Sequence, residues 1–157
     1  MTRVVSCGIV VLNPRREIFV CHATGTKRWD LPKGLPEPGE SALQAAVREA
    51  REEAALAFEP AALVDVGLHD YLPAKRLHLF AAKVAERAFA IADCHCSSTF
   101  AHRTTGRATP EVDGYDWKPL DGLDDWCGPN LRRVLRALDW SRIEQLPELA
   151  TVRTVAR

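Results

Sequence analysis

Three glutamates carry the chemistry this sequence could do. Glu49, Glu52 and Glu53 stand at i, i+3 and i+4 of a helical pattern, so their carboxylates converge on one face. Hard divalent cations take oxygen ligands, and Mg2+ accepts a few carboxylates and substrate phosphates while keeping several waters. A face of three glutamates has the donors for that. Like charges in the last turns of a helix also meet the negative end of its dipole, at ~0.3–1 kcal/mol per group, so local stability does not favour the arrangement. A solvated charged face, with Arg48 pairing Glu52 and Arg51 nearby, accounts for the same residues. Taken alone, the three glutamates leave both readings open.

The elements around them narrow the choice. Gly34-Leu-Pro-Glu-Pro-Gly-Glu40 reads as a loop, and Pro36, Pro38 and Gly39 keep a helix from starting early. Ser41 with Gln44 three residues on has the form of a capping box, so the helix begins near Ser41. Leu43, Val47, Ala50 and Ala54 give it one apolar stripe. The whole string from Gly34 to Leu56 reads Gly-x5-Glu-x7-Arg-Glu-Ala-x-Glu-Glu-x-Ala-Leu. This resembles the signature box of the Nudix hydrolases, a highly specific motif. One letter departs from the pattern: Ala55 stands where the family usually has Gly. Ala55 must therefore take a positive φ, at ~1–2 kcal/mol, or let the helix run on.

The resemblance implies an α/β fold of the Nudix type, an α/β/α sandwich with a mixed sheet between helices. It implies hydrolysis of a pyrophosphate bond in a nucleoside diphosphate linked to another group, with Mg2+ or Mn2+ as cofactor. By position, Glu49, Glu52 and Glu53 would bind metal, joined by the Gly34 carbonyl. Arg48 would orient a neighbouring carboxylate, with Glu40 in support. Such chemistry needs cations to neutralise the anionic oxygens flanking the bridge, orient the leaving phosphate and acidify water. Clustered carboxylates raise the pKa of at least one member, so Glu53 or Glu111 could serve as base. Glu111, with Asp113 as second choice, comes from the acidic loop ahead of the last strand.

Trp29-x-x-Pro32-Lys33-Gly34 looks like the approach to the box in the diadenosine polyphosphate and related nucleoside polyphosphate hydrolases. Lys33 would help neutralise a longer polyphosphate, which favours dinucleoside polyphosphates or nucleoside triphosphates as substrate. One rival is a silent Nudix fold that senses a nucleotide without cleaving it, and its mark would be a lost box glutamate. None is lost. Another is hydrolysis of a non-nucleotide diphosphate or of an RNA 5′ end. The resemblance admits a homodimer, which no surface stripe demonstrates.

The rest of the chain reads as scaffold. Its 157 residues fit one domain, assigned to 1–140, with a tail at 141–157 that has no clear period and is expected to fray. With 21 basic and 21 acidic residues, charge gives no case for nucleic acid or a membrane surface and favours a small-molecule nucleotide. No window is apolar enough to span a membrane and the N-terminus lacks a signal-peptide core, so a cytoplasmic protein is expected. Five cysteines at irregular spacing point to reduced thiols. Cys94-His95-Cys96 is read as ordinary strand, since adjacent residues point to alternate faces.

Val4 to Leu12 and Glu17 to Cys21 read as a hairpin, and Leu63 to Leu72 and Arg76 to Val84 as two strands. His69 and His78 are read as structural. Trp29 reads as a core or rim aromatic by burial statistics, with a base-stacking platform as the alternative that makes it a candidate substrate contact. Phe89 to Phe100 reads as a strand or two. Residues 101–110 read as a flexible insertion whose Arg103 and Arg107 are candidate phosphate clamps. Asn130 is expected to cap a last helix carrying Leu131, Val134, Leu135 and Leu138 on one face.

Overall fold

The computed structural model describes residues 3–157. In chain order it forms β1 (Val4–Leu12), β2 (Glu17–Ala23), β3 (Trp29–Asp30), β4 (Lys33–Gly34), α1 (Ala42–Ala54) and β5 (Leu56–Ala57). There follow β6 (Val64–Leu72), β7 (Lys75–Val84), β8 (Thr99–Ala101), β9 (Ala108–Pro110) and β10 (Val112–Pro119). The chain closes with α2 (Leu123–Trp126), α3 (Pro129–Ala137), α4 (Trp140–Glu144), β11 (Glu148–Leu149) and β12 (Arg153–Thr154).

The main sheet is mixed, in the order β10-β2-β1-β7-β11, with β3 on β2, β4 on β1 and β6 on β7. β1 runs parallel to β7 from Val4↔Lys75 to Leu12↔Lys83 and antiparallel to β2 and β4. Residues 7–12 of β1 and 79–82 of β7 are non-polar on both sides because helices cover both faces. Cys7, Ile9 and Val11 pack with Phe80 and Ala82 against Ala45, Ala46, Ala50 and Ala54 of α1. Val10 and Leu12 pack with Leu77, Leu79 and Ala81 against Leu131, Val134 and Leu135 of α3 and Ile143 of α4. The result is the α/β/α sandwich that the resemblance implied.

Three details differ from the sequence reading. The stripe of α1 is centred on alanines: Ala45, Ala46, Ala50 and Ala54 are fully buried, while Leu43 and Val47 lie half-buried at its margin. Small side chains let the helix approach the sheet closely. Asn130 does not cap α3; Gly128 is the N-cap and Pro129 takes the first turn, where proline's fixed φ suits a helix start. Phe89–Phe100 is mostly irregular, with a 3-10 turn at Ile91–Asp93 and strand only from Thr99.

The segment 141–157, expected to fray, is docked. Ile143 and Val152 are buried, β11 extends the main sheet beside Lys83 and Val84, and β12 pairs with β5. Two-residue strands leave no period in the sequence, which is why the tail reads as structureless. Among the described residues no helix is long and apolar enough to cross a membrane.

Candidate active site

The carboxylates are placed by α1 and its loop. The capping box forms as expected: the Gln44 N–H donates to Ser41 Oγ (3.1 Å) and the Ser41 N–H to Gln44 Oε1 (2.9 Å). At the other end Ala55 takes φ 61° and ψ 18°, and its N–H closes onto the Ala50 and Arg51 carbonyls. The helix therefore stops where a glycine would stop it, with Ala55 bearing the strain. Carbonyls near that end, which have no partner within a helix, are met by distant segments. Glu52 O accepts from the Ser97 N–H (2.7 Å), Glu53 O from the Tyr115 hydroxyl (2.6 Å) and Ala55 O from the Val155 N–H (2.8 Å).

Arg48 organises the acidic face. Its Nε and Nη2 bind both oxygens of Glu40 (2.8 and 3.0 Å), and Nη1 bridges Glu49 (2.9 Å) and Glu52 (3.0 Å). Nη2 also donates to the Leu35 carbonyl (2.9 Å), which ties the loop to the helix. The hydrogen bond from Arg48 holds the Glu40 carboxyl below its ordinary pKa, helped by the Glu37 backbone. Arg48 thus reaches three glutamates at once.

Glu49 and Glu53 are 9% and 8% exposed. Burial raises the Glu49 pKa; Arg48 opposes the rise, while Glu52 and Glu111 add to it. Burial pushes Glu53 up to about 8, against a hydrogen bond from the Lys33 N–H to its Oε1 (2.9 Å) and with repulsion from Glu49 and Glu111. A buried carboxyl cluster that favours protonation is short of positive charge.

Gly34 lies flush against this cluster. A Cβ at that position would collide with the Glu49 carboxylate, so only glycine lets the strand pass so close. Among the described residues, no three His, Cys, Asp or Glu side chains stand close enough together to hold an ion as they are placed; Arg48 lies between Glu49 and Glu52, and Glu53 turns to the Lys33 N–H. The donor set is nonetheless all oxygen, anionic and backed by a glycine cradle, which fits a hard divalent cation.

The other candidates fall in two places. Glu111 is exposed and accepts from Ser98 Oγ (3.3 Å), close enough to raise the pKa of both Glu49 and Glu53. Asp113 instead contacts His22 Nδ1 (2.5 Å), whose ring meets Trp29 edge-on. Arg103 and Arg107 lie exposed on the β8–β9 hairpin, and neither side chain makes an ion pair or hydrogen bond among the described residues.

Lys33 is split between faces. Its N–H serves Glu53, but strand alternation sends its ammonium to the face away from α1, 3.1 Å from Asp30 Oδ2 and over the Tyr71 ring. Burial works against that ammonium, and Asp30 more than compensates, keeping its pKa raised. Trp29 is half-buried with Lys118 Nζ 4.8 Å from its ring centre. It lines a cleft of about 160 Å3 with Asp30, Tyr71 and the start of α3. The His22–Asp113 pair spans 91 residues of sequence, so no local spacing could announce it; the only signal was two polar letters at the ends of strands.

The NUDIX domain profile matches residues 2–138 of this chain. The chain belongs to the Nudix family. An uncharacterized 17.7 kDa protein from the e–segB intergenic region of Enterobacteria phage T4 is 31% identical over 145 residues, covering 87% of this chain and 95% of that one. An RNA pyrophosphohydrolase of Vibrio atlanticus is 28% identical over 116 residues, 70% of this chain and 67% of its own. Among solved structures, a C. elegans Ap4A hydrolase binary complex shares the fold at 20% identity with a TM-score of 0.59, over 87% of this chain and 96% of its own. Membership makes this Nudix protein a hydrolase of phosphorus-containing anhydrides, and Nudix hydrolases generally use divalent metals.

Proposed function

We propose that this Nudix protein cleaves a pyrophosphate bond in a nucleoside diphosphate linked to another group, dinucleoside polyphosphates or nucleoside triphosphates foremost, with Mg2+ or Mn2+. The observation that carries the reading is the Glu49, Glu52 and Glu53 cluster on one end of α1, with Glu49 and Glu52 held by Arg48, Glu53 by the Lys33 N–H, and Glu49 closed against Gly34. Glu49, Glu52 and Glu53, with the Gly34 carbonyl, are the groups that would hold the cation. When bound it supplies the charge that lets a nucleophile approach an anionic phosphate.

The chain's own residues do the rest. Arg48 draws Glu40, Glu49 and Glu52 together on one face and so gathers the oxygens that would take part. Glu53, kept by the Lys33 N–H, and Glu111, at the solvent edge, are the two carboxylates that would take a proton from water. On the other face, Tyr71 and Trp29 border a cleft, with the Lys33 ammonium against the Tyr71 ring, and would meet the part of a longer substrate remote from the glutamates. Arg103 and Arg107 stand free on the hairpin to meet a phosphate. A cytoplasmic small-molecule enzyme, monomeric or homodimeric, is the setting this implies.

The test is a panel of diadenosine polyphosphates, nucleoside triphosphates, ADP-ribose, sugar nucleotides and 5′-triphosphorylated RNA, assayed with Mg2+ and with Mn2+. Release of a nucleoside monophosphate or phosphate is expected, and lost in Glu52→Gln and Glu53→Gln. Unchanged turnover in both variants refutes the assignment, and tight binding without turnover by the unaltered chain indicates a sensor.

A further inference from the structure

The β8–β9 hairpin stands apart from the main sheet and is fastened to the carboxylate site. Its ladder runs Thr99↔Pro110, Phe100↔Thr109, Ala101↔Ala108. The same register continues at both ends: the Glu111 N–H donates to the Ser98 carbonyl (3.1 Å) and the His102 N–H to the Arg107 carbonyl (2.8 Å). Directly opposed residues in an antiparallel pair share a face, as do alternate residues along a strand. Ser98 and Glu111, Phe100 and Thr109, His102 and Arg107 therefore form one face. The bond from Ser98 Oγ to the Glu111 carboxylate shows the first of these pairs meeting on it.

That face begins at the site. Ser97 binds the Glu52 carbonyl through both its N–H (2.7 Å) and its Oγ (3.2 Å). Ser98 follows Ser97 directly, so the first rung, Ser98 with Glu111, lies beside the Glu52 end of α1. At ~3.3 Å per residue, Phe100 lies ~7 Å and His102 with Arg107 ~13 Å further out. Phe100 is 39% exposed and, among the described residues, packs in no core cluster and against no other ring. Carboxylate, aromatic ring and unpaired guanidinium thus follow one another outward from the glutamates. A lone exposed aromatic is unremarkable on a protein surface; one set in register with a site carboxylate, between it and a free cation, is positioned.

We propose that Phe100 is a specificity-determining residue: it stacks on the nucleobase of the nucleotide whose phosphates lie at the glutamates, with Arg107 meeting a phosphate beyond it. This rests on the nucleotide reading of the site. A nucleoside joined to phosphates spans about the distance from the cluster to the Phe100 rung, and stacking on an aromatic tolerates any base.

The experiment is equilibrium binding, with Mg2+, of α,β-methylene-ATP and of inorganic tripolyphosphate to the full chain and to Phe100→Ala and Phe100→Trp. Stacking worth ~1–3 kcal/mol predicts that Phe100→Ala weakens the nucleotide analogue about 5- to 150-fold and tripolyphosphate less than twofold. Phe100→Trp should retain nucleotide affinity and show fluorescence quenched by the nucleotide alone. Equal effects on both ligands, or no effect on either, overturn the role of Phe100 while leaving the site intact. If the unaltered chain binds tripolyphosphate but not the nucleotide analogue, the nucleotide reading itself fails and this inference with it.

Discussion

Replacing Glu53 with glutamine tests the electrostatics of the site separately from its catalysis. The ordinary carboxyl value is 4.5, and burial lifts Glu53 to about 8. A tenfold change in proton affinity is ~1.4 kcal/mol, so ionising Glu53 in the folded chain costs up to ~5 kcal/mol more than in the unfolded one. Local relaxation and water entry reduce this, and ~1–3 kcal/mol is the expected effect. The sign follows from linkage: between pH 4.5 and 8 the folded state holds the proton more tightly. Stability contributed by protonated Glu53 is full below that window, falls as pH rises through it and is flat above. Glu53→Gln keeps an oxygen for the Lys33 N–H but cannot ionise. In EDTA, urea unfolding at pH 5 and pH 9 should therefore show the variant gaining ~1–3 kcal/mol on the unaltered chain at the higher pH. Adding Mg2+ at pH 9 should shrink the gain, because a bound cation favours the charged carboxylate. An equal stability difference at both pH values would refute the buried, cation-deficient cluster.

Other perturbations probe its supports. Gly34→Ala, which drives a methyl into the Glu49 carboxylate, should lower kcat/KM ~100-fold with circular dichroism unchanged; near-normal activity would show that Glu49 moves freely. Arg48→Lys removes the two-pronged grip on Glu40 and the bridge to Glu49 and Glu52, and should weaken Mg2+ affinity or activity ~10–100-fold by calorimetry and steady-state kinetics. Ala50→Gly in the helix interior should cost ~1.5–2 kcal/mol from propensity and a buried methyl, whereas Ala55→Gly should cost ~1–2 kcal/mol less because it relieves the left-handed backbone. Equal costs in thermal melts would contradict the geometry at Ala55. Ile143→Ala, in the fully buried part of the tail, should destabilise the whole chain by ~2–4 kcal/mol in a single transition; a small separate transition would mean the tail unfolds alone.

What the sequence disclosed was mostly local. Ser41 and Gln44 announced the helix start because a capping box needs only four residues, whereas Ala55, standing where the pattern has glycine, left the end open between a left-handed stop and a continued helix. β1, β6 and β7 showed as runs rich in apolar or β-branched residues. Harder to see was whatever depends on pairing between distant segments. The ammonium of Lys33 goes to the far face because β4 aligns with Gly8 and Cys7, a register absent from the string. His22 meets Asp113, and Ser98 meets Glu111, only after β2, β10 and the hairpin are assembled. The tail failed to register because β11 and β12 are two residues each and take their order from β7 and β5.

The carbonyls at the end of α1 set a rule for re-engineering this protein. The hairpin bearing Phe100, Arg103 and Arg107 hangs from Glu52 chiefly by a main-chain N–H at Ser97, a bond any residue but proline can make. Its outward face can be rewritten, lengthened or exchanged for another loop without disturbing the joint that aligns it with the glutamates. On the reading proposed above, the glutamate face and the hairpin are thereby separable modules, and a library confined to residues 99–109 should yield altered ligand preference more often than lost folding.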